Sequence, residues 1–268
     1  MAAPADTDRM TFFEHIDALR PHLVRSVVAV CLLTVVAFLC KRWLVDGLLF
    51  GPLSESFPTN RLVEFLAAKA GIDYQSSTLA TIDLINTTVA GQFNLHLRLS
   101  FTAALIAAFP YLLWEVWRFV RPALTAKEIV QCRLLAGRIV GAFFLGAAFG
   151  YLVLSPLSIS FLTQYAVSPA VENLIDIRSY LSTVVQVTVA CALLFQLPLL
   201  VRLLTQIGLL SAEFLVRYRR HAIVALAILA AVITPPDAFT MVLVLAPLMA
   251  LYEYSISVAR RVERKRDL

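Results

Sequence analysis

The sequence predicts an all-α, polytopic membrane protein: six transmembrane helices, both termini cytoplasmic, in a concave bundle whose fifth and sixth helices are short. Three observations carry this. Of 268 residues, 60% are hydrophobic and 15% charged, with a mean hydropathy of +0.80; an average soluble domain is roughly 45–50% apolar and about 25% charged. A soluble sphere of this length lacks the interior to hide that excess, which excludes a soluble enzyme and a disordered chain alike. The apolar residues also gather into six runs. Finally, the basic residues alternate between loops: 17 of the 23 Lys and Arg fall on one side of those runs.

A membrane helix needs about 20 mostly apolar residues. The first run, 23–44, lacks a small-residue cleavage site leading into a soluble domain, so it is expected to be a retained span rather than a cleaved signal. The second covers 95–118, the third 137–162 and the fourth 180–205. The loop 45–94 contains Pro52, Pro58 and Gly71, with a short interfacial helix expected over 62–70. The fifth run, 221–233, covers only about 20 Å of a ~30 Å hydrocarbon core. Starting it near Phe214 would draw Arg217, Arg219 and Arg220 into the membrane, at a cost. The sixth run, 239–258, follows a tight T-P-P-D-A-F turn. Two short helices joined this way thin the bilayer locally or are shielded by neighbouring protein. The whole chain, 1–268, is read as one integral membrane domain.

An even number of spans puts both termini on one side, and the basic-residue bias makes that side cytoplasmic. Lys41 and Arg42 oppose the bias locally and are expected to snorkel to the far interface. Cys31, Cys40, Cys132 and Cys191 show no paired spacing and are read as buried free thiols. His15, His22, His96 and His221 form no metal-ligand pattern. Pro110, Pro156, Pro198 and Pro247 interrupt spans two, three, four and six and favour bends that suit a concave bundle. Gly137, Gly141, Gly146 and Gly150 form two G-x-x-x-G units on span three, for internal packing or a self-association face.

Polar groups are fewer and more telling. Gln196, within L-L-F-Q-L-P-L-L, needs an interhelical partner or a water-filled path. Glu115 and Arg118, one turn apart at the end of span two, read as a surface pair worth little. The amino terminus, T-F-F-E-H-I-D-A-L-R-P-H-L-V-R-S, places Phe12, Phe13, Ile16, Leu19 and Leu23 on one helical face and Glu14, Asp17 and Arg20 on the other, the pattern of an interfacial helix. The segment after span two carries Trp117, Phe119, Arg121 and Glu128. Both segments fall on the cytoplasmic side, either as solvated loop charges or as one acidic and aromatic receptor face.

Several stretches resemble one family, the TatC subunit of the twin-arginine protein translocase. H-I-D-A-L-R-P-H-L (15–23) resembles its amino-terminal H-L-x-E-L-R-x-R-L. G-P-L (51–53) is similar to the proline motif opening its first outer loop. W-R-F-V-R-P-A-L-T-A-K-E (117–128), with Pro122, resembles its first inner loop, W-x-F-x-x-P-A-L-x-x-x-E. Gly146, Tyr151 and Pro156 fit its span-three pattern, F-Q-L-P (195–198) its F-E-x-P in span four, and T-P-P-D (234–237) the turn between its last spans. The resemblance covers nearly the whole chain, in order.

That resemblance implies a receptor in the bacterial inner membrane, not an enzyme. It implies binding of twin-arginine signal peptides and, with single-span TatA- and TatB-type partners, transport of folded proteins driven by the proton-motive force. It implies no cofactor, metal or nucleic acid, and it favours self-association in a larger complex. Two guanidinium forks pair well with carboxylates. The family glutamate of the inner loop maps onto Glu128. The amino-terminal one maps onto Ala18, leaving Asp17, one position earlier, or Glu14, one turn earlier on the same face, for that role. The implied signal-peptide-binding set is Glu128, Asp17, Glu14, Arg20, Phe119 and Arg121. Gln196 replaces an intramembrane glutamate; with Tyr151 it is read as an intramembrane, partner-facing polar group. Pro52, Pro122, Pro156, Pro198, Pro235, Pro236 and Asp237 are read as structural turns and kinks. An ion-coupled secondary transporter is the alternative class; it predicts inverted repeats around a midplane site, and the sequence contains no obvious repeat. A membrane enzyme needs a nucleophile or metal constellation, which the scattered histidines and serines do not supply.

Overall fold

The computed structural model describes residues 12–54, 57–70, 84–121, 126–165, 168, 173–233 and 238–266. Pro122, Pro235, Pro236 and Asp237 lie outside the described residues. Among the described residues, ten α-helices carry the architecture: α1 Phe12–Leu39, α2 Pro58–Ala70, α3 Gly91–Val120, α4 Ala126–Phe149, α5 Ser155–Gln164, α6 Ile177–Leu194, α7 Leu197–Gln206, α8 Ala212–Arg217, α9 Arg219–Ile233 and α10 Ala238–Arg266. Among the described residues, five segments are long and apolar enough to cross a membrane: Leu19–Leu39, Gly91–Phe119, Leu135–Thr163, Ile177–Gln206 and Thr240–Arg264. The remaining run, the fifth, is α9, whose 15 residues reach only about 22 Å.

Three boundaries differ from the sequence expectation. The interfacial amino-terminal helix and span one are a single helix, α1, with Pro21 inside it; both stretches share the helical period, so nothing separates them. Span one ends at Leu39 rather than 44, and a π-helical turn, Trp43–Leu49, buries Leu44 and Leu49. The sixth helix is not short: α10 has 29 residues. Its Thr240–Arg264 stretch is a full-length candidate span, and the basic residues at its end continue the helix.

The prolines are accommodated by named donors. Pro52 lacks the N–H that would bond back to Leu48 or Leu49 in a helical turn. Tyr151 donates its hydroxyl to the Leu48 carbonyl (2.6 Å) and Tyr180 to that of Leu49 (2.7 Å). Asn60 then donates to the carbonyls of Pro52 (3.0 Å) and Ser54 (2.9 Å). Span three changes to a π-helical turn over Gly150–Leu154, just before Pro156. Thr59 donates to the Leu152 carbonyl, the acceptor that Pro156 leaves without its usual donor. Span four breaks at Phe195 and Gln196, immediately before Pro198.

The halves of the glycine pattern separate. A Cβ on Gly146 would lie 2.5 Å from the Cys191 carbonyl oxygen, and one on Gly150 would lie 2.9 Å from the Thr188 Cα. These two glycines therefore let α4 and the π-helical turn after it approach α6. Gly137 and Gly141 meet nothing within 4 Å. The adjoining core joins Leu154, Val187, Cys191 and Leu194 to Leu226 and Ala230 of α9 and Val244 and Leu248 of α10. Cys191 is a buried free thiol as expected, whereas Cys31 and Cys40 are exposed on the chain. They belong to a first span whose apolar residues, Leu32, Val35 and Leu39 among them, also point outward.

At the far end from the amino terminus, a two-stranded parallel pair unannounced by the sequence joins Leu84–Ile85 (β1) to Ile175–Asp176 (β2). Asp176 caps α6 by accepting the Arg178 N–H (2.8 Å) and also accepts the Thr87 hydroxyl (2.5 Å). The Thr87 hydroxyl, then the Arg178 amide and charge, hold its carboxyl below the ordinary carboxylate range. This clamp ties the first long loop to the second.

Candidate functional site

Helices α1 and α3 run antiparallel along their lengths. At one end Phe38 stacks on His96 (centroids 4.0 Å) and meets Phe93 edge-on. At the other, His22 Nδ1 lies 2.6 Å from Glu115 Oε2, and the His22 ring meets Phe119 edge-on at 6.0 Å. The H-I-D-A-L-R-P-H-L stretch and the W-R-F-V-R stretch, 93 residues apart at the His22–Glu115 contact, are thereby brought together.

Glu115 is the centre of this junction, which corrects its reading as a surface pair. It is 1% exposed. Its carboxylate faces His22, accepts the Tyr111 hydroxyl (2.9 Å) and lies 3.6 Å from Arg118 Nη1. Burying a carboxylate is costly unless opposite charge and donors surround it; here a ring nitrogen, a phenol and a guanidinium supply them. The sequence held a signal for it: His22 stands where the H-L-x-E-L-R-x-R-L pattern has its second arginine.

Of the predicted residues, Arg20, Phe119 and Arg121 lie on the two helices that meet here. Arg20 is exposed on α1, one turn before Val24 and two residues before His22. Phe119 is half-buried against His22, and Arg121, exposed, closes α3 as its C-cap. Glu14 and Asp17 fall in the first two turns of α1, and Glu128 is the third residue of α4; their side chains lie outside what is described. An acid in a first turn is favoured by the helix dipole. Beside the junction, Pro110, Leu113, Trp114, Trp117, Arg121, Ala136, Gly137 and Val140 line a groove of about 430 Å³ between α3 and α4.

Gln196 and Tyr151 are not part of this cluster. Gln196 donates to the Ile139 carbonyl of α4 (3.3 Å) and to that of Ala192 (3.4 Å), closing the break in span four against span three. Tyr151 belongs to the Pro52 turn at the opposite end, where its ring meets Phe57 edge-on at 5.6 Å. Among the described residues, no group of three or more His, Cys, Asp or Glu is placed to hold a metal.

Helices of this length and hydropathy, with polar residues gathered at helix ends, define a multi-pass helical membrane protein. A family model described as Sec-independent protein translocase protein (TatC) matches residues 14–247. The chain is 35% identical to the TatC protein of Blattabacterium sp. subsp. Periplaneta americana over 97% of this chain and 99% of that one. It is 33% identical to the TatC of Deinococcus radiodurans over 96% and 88%. A crystal structure of the twin arginine translocase receptor TatC superposes with a TM-score of 0.73 at 26% identity, covering 93% of this chain and 99% of that one. The chain belongs to the TatC family of protein translocase components, a family of receptor subunits rather than enzymes.

Proposed function

We propose that the junction of α1, α3 and α4 reads the paired arginines of a signal peptide on the cytoplasmic face. The observation that carries this is the contact of His22 with Glu115 and Phe119, which sets α1, the helix carrying Glu14 and Asp17, against the end of α3, the helix that leads into the segment carrying Glu128. Glu128 takes one guanidinium, and Asp17 or Glu14 takes the other by charge-assisted, forked hydrogen bonds. Phe119 and Arg121 border the same face. Glu115 does not bind peptide in this reading: it is buried and already surrounded, so it positions α1 against α3. The excess of basic residues on this side supports N-in, C-in topology with six spans, α9 crossing a locally thinned bilayer or one shielded by partners.

The same reading makes TatA- and TatB-type single-span proteins the partners and the proton-motive force the energy source. Family membership supports association with other Tat components. The test is binding of a twin-arginine peptide to the full chain in nanodiscs. Glu128→Gln is expected to weaken binding by about ten- to a hundredfold, the worth of a hydrogen bond to a charged group. Asp17→Asn and Glu14→Gln decide which acid is the second: the one that matters shows a comparable loss. Undiminished binding in all three variants overturns the assignment.

A further inference from the structure

The segment between α7 and α9 exposes large apolar side chains outside every predicted span. α7 ends at Gln206, and Gly208, at a φ of 78°, turns the chain. The turn presents Ile207 and Leu209, 67% and 74% exposed. Phe214 of α8 and Tyr218 at its end are exposed as well, their ring centroids 4.4 Å apart. Tyr218 in turn meets the His221 ring at 5.4 Å.

The fold holds these side chains outward. Ala212 and Leu215 of α8 pack with Ile256 and Ala259 of α10. Tyr252 donates its hydroxyl to the Leu215 carbonyl (2.7 Å), and the Ala212 N–H donates to Glu263 (2.8 Å). With one face of α8 fixed to α10, the face bearing Phe214 stays open. An apolar patch rimmed by charge marks a membrane or protein contact. Over residues 207–221 three arginines stand against one acid, Glu213. Arg219 pairs with Glu253, whereas Arg217 and Arg220 are exposed and, among the described residues, form no salt bridge.

Helix length decides what covers the patch. Arg219 Nε lies 2.9 Å from Glu253 Oε1, so the start of α9 is level with Glu253 on α10. From there α9 rises only about 22 Å, about 8 Å short of a ~30 Å hydrocarbon core. At the Arg219 end, apolar and aromatic side chains meet that shortfall where a polar loop would not. Rings beside basic residues are the composition of a membrane–water interface, and unpaired arginines there attract anionic headgroups. We propose that residues 207–218 form an interfacial membrane anchor. Ile207, Leu209, Phe214 and Tyr218 enter the boundary between headgroups and acyl chains, and Arg217, with Arg220 just beyond it, holds anionic phospholipid headgroups. The depth argument takes α9 as a span, as proposed above; it does not depend on the peptide-reading junction.

The test is fluorophore depth in nanodiscs of phosphatidylglycerol and phosphatidylcholine holding one full chain each. The four native cysteines are replaced by alanine, and a bimane label is placed on Leu209→Cys, Phe214→Cys or Ile228→Cys, the last exposed midway along α9. Labels at Leu209→Cys and Phe214→Cys are expected to be quenched by lipid spin-labelled near its headgroup and shielded from aqueous iodide. Iodide quenching without lipid quenching at both positions overturns the anchor. Ile228→Cys, read with lipid spin-labelled deep in its chain, reports α9 separately. Lipid quenching there but not at the other two positions sinks the anchor alone, and the reverse sinks the span alone. Lipid retention is then counted by native mass spectrometry of the full chain. Arg217→Gln and Arg220→Gln are each expected to lower the preference for phosphatidylglycerol over phosphatidylcholine about fivefold. An unchanged preference in both variants overturns the headgroup role.

Discussion

Glu115 shows how a single residue changes meaning once its neighbours are known. One turn from Arg118 at a helix end, its spacing alone fits an exposed pair. In the fold it is enclosed by His22, Tyr111 and Arg118. Removing a buried carboxylate strands the donors around it, so Glu115→Leu is expected to weaken twin-arginine peptide binding although Glu115 is not placed on the peptide. His22→Arg keeps a donor toward the carboxylate and is expected to bind peptide like the wild type. The two variants are compared by peptide titration and by thiol crosslinking between α1 and α3. Loss of crosslinking in Glu115→Leu, with crosslinking kept in His22→Arg, marks a positioning role; equal peptide binding in both removes it.

Among the elements, span three is where sequence pattern and packing part company. Four glycines in two G-x-x-x-G units look equivalent, yet only Gly146 and Gly150 have backbone or side-chain atoms where a Cβ would go. Gly146→Ala is expected to destabilise the chain by about 1–3 kcal/mol, as overpacking does. Gly141→Ala, in open space, is expected to be neutral or slightly stabilising, because alanine favours the helix. Chemical denaturation in detergent separates the two. Span four makes a related point. Gln196→Leu removes the bond to Ile139 at the Phe195–Gln196 break, and membrane hydrogen bonds of this kind average about 0.6 kcal/mol. The variant is therefore expected to insert normally but to export a folded reporter poorly. Normal export would leave Gln196 as a helix-break fastener alone.

At the level of the whole molecule, the two ends are held by different chemistry. The end with the amino terminus is held by the His22–Glu115 junction. The other end is held by the Pro52 turn, with its tyrosine hydroxyls, and by the Asp176 clamp between distant loops. Asp176 has a lowered folded-state pKa, so its contribution is present above the ordinary carboxylate pKa of about 4 and is lost as pH falls through the folded value. The loops it joins are expected to become protease-sensitive in acid below about pH 4. Asp176→Asn is expected to show that sensitivity at neutral pH and to lose its pH dependence. A variant as acid-sensitive as the wild type would place the transition elsewhere.

The hydrophobic fraction and the six apolar runs determined a polytopic helical protein, because apolar surface on this scale is stable only in lipid or against other helices. The ordered motifs determined the family, and the basic-residue asymmetry supplied the proposed orientation. Packing decided what local pattern leaves open. It buried Leu44 and Leu49 beyond the end of span one at Leu39. It divided the four glycines into two packed and two open, and it buried Glu115. Each depends on atoms far apart in the chain: His22 with Glu115, Gly146 with Cys191, Leu48 with Tyr151 and Leu49 with Tyr180. A sequence shows residue types and their spacing along one helix; only the meeting of helices shows which polar group has lost its water and which donor replaces it.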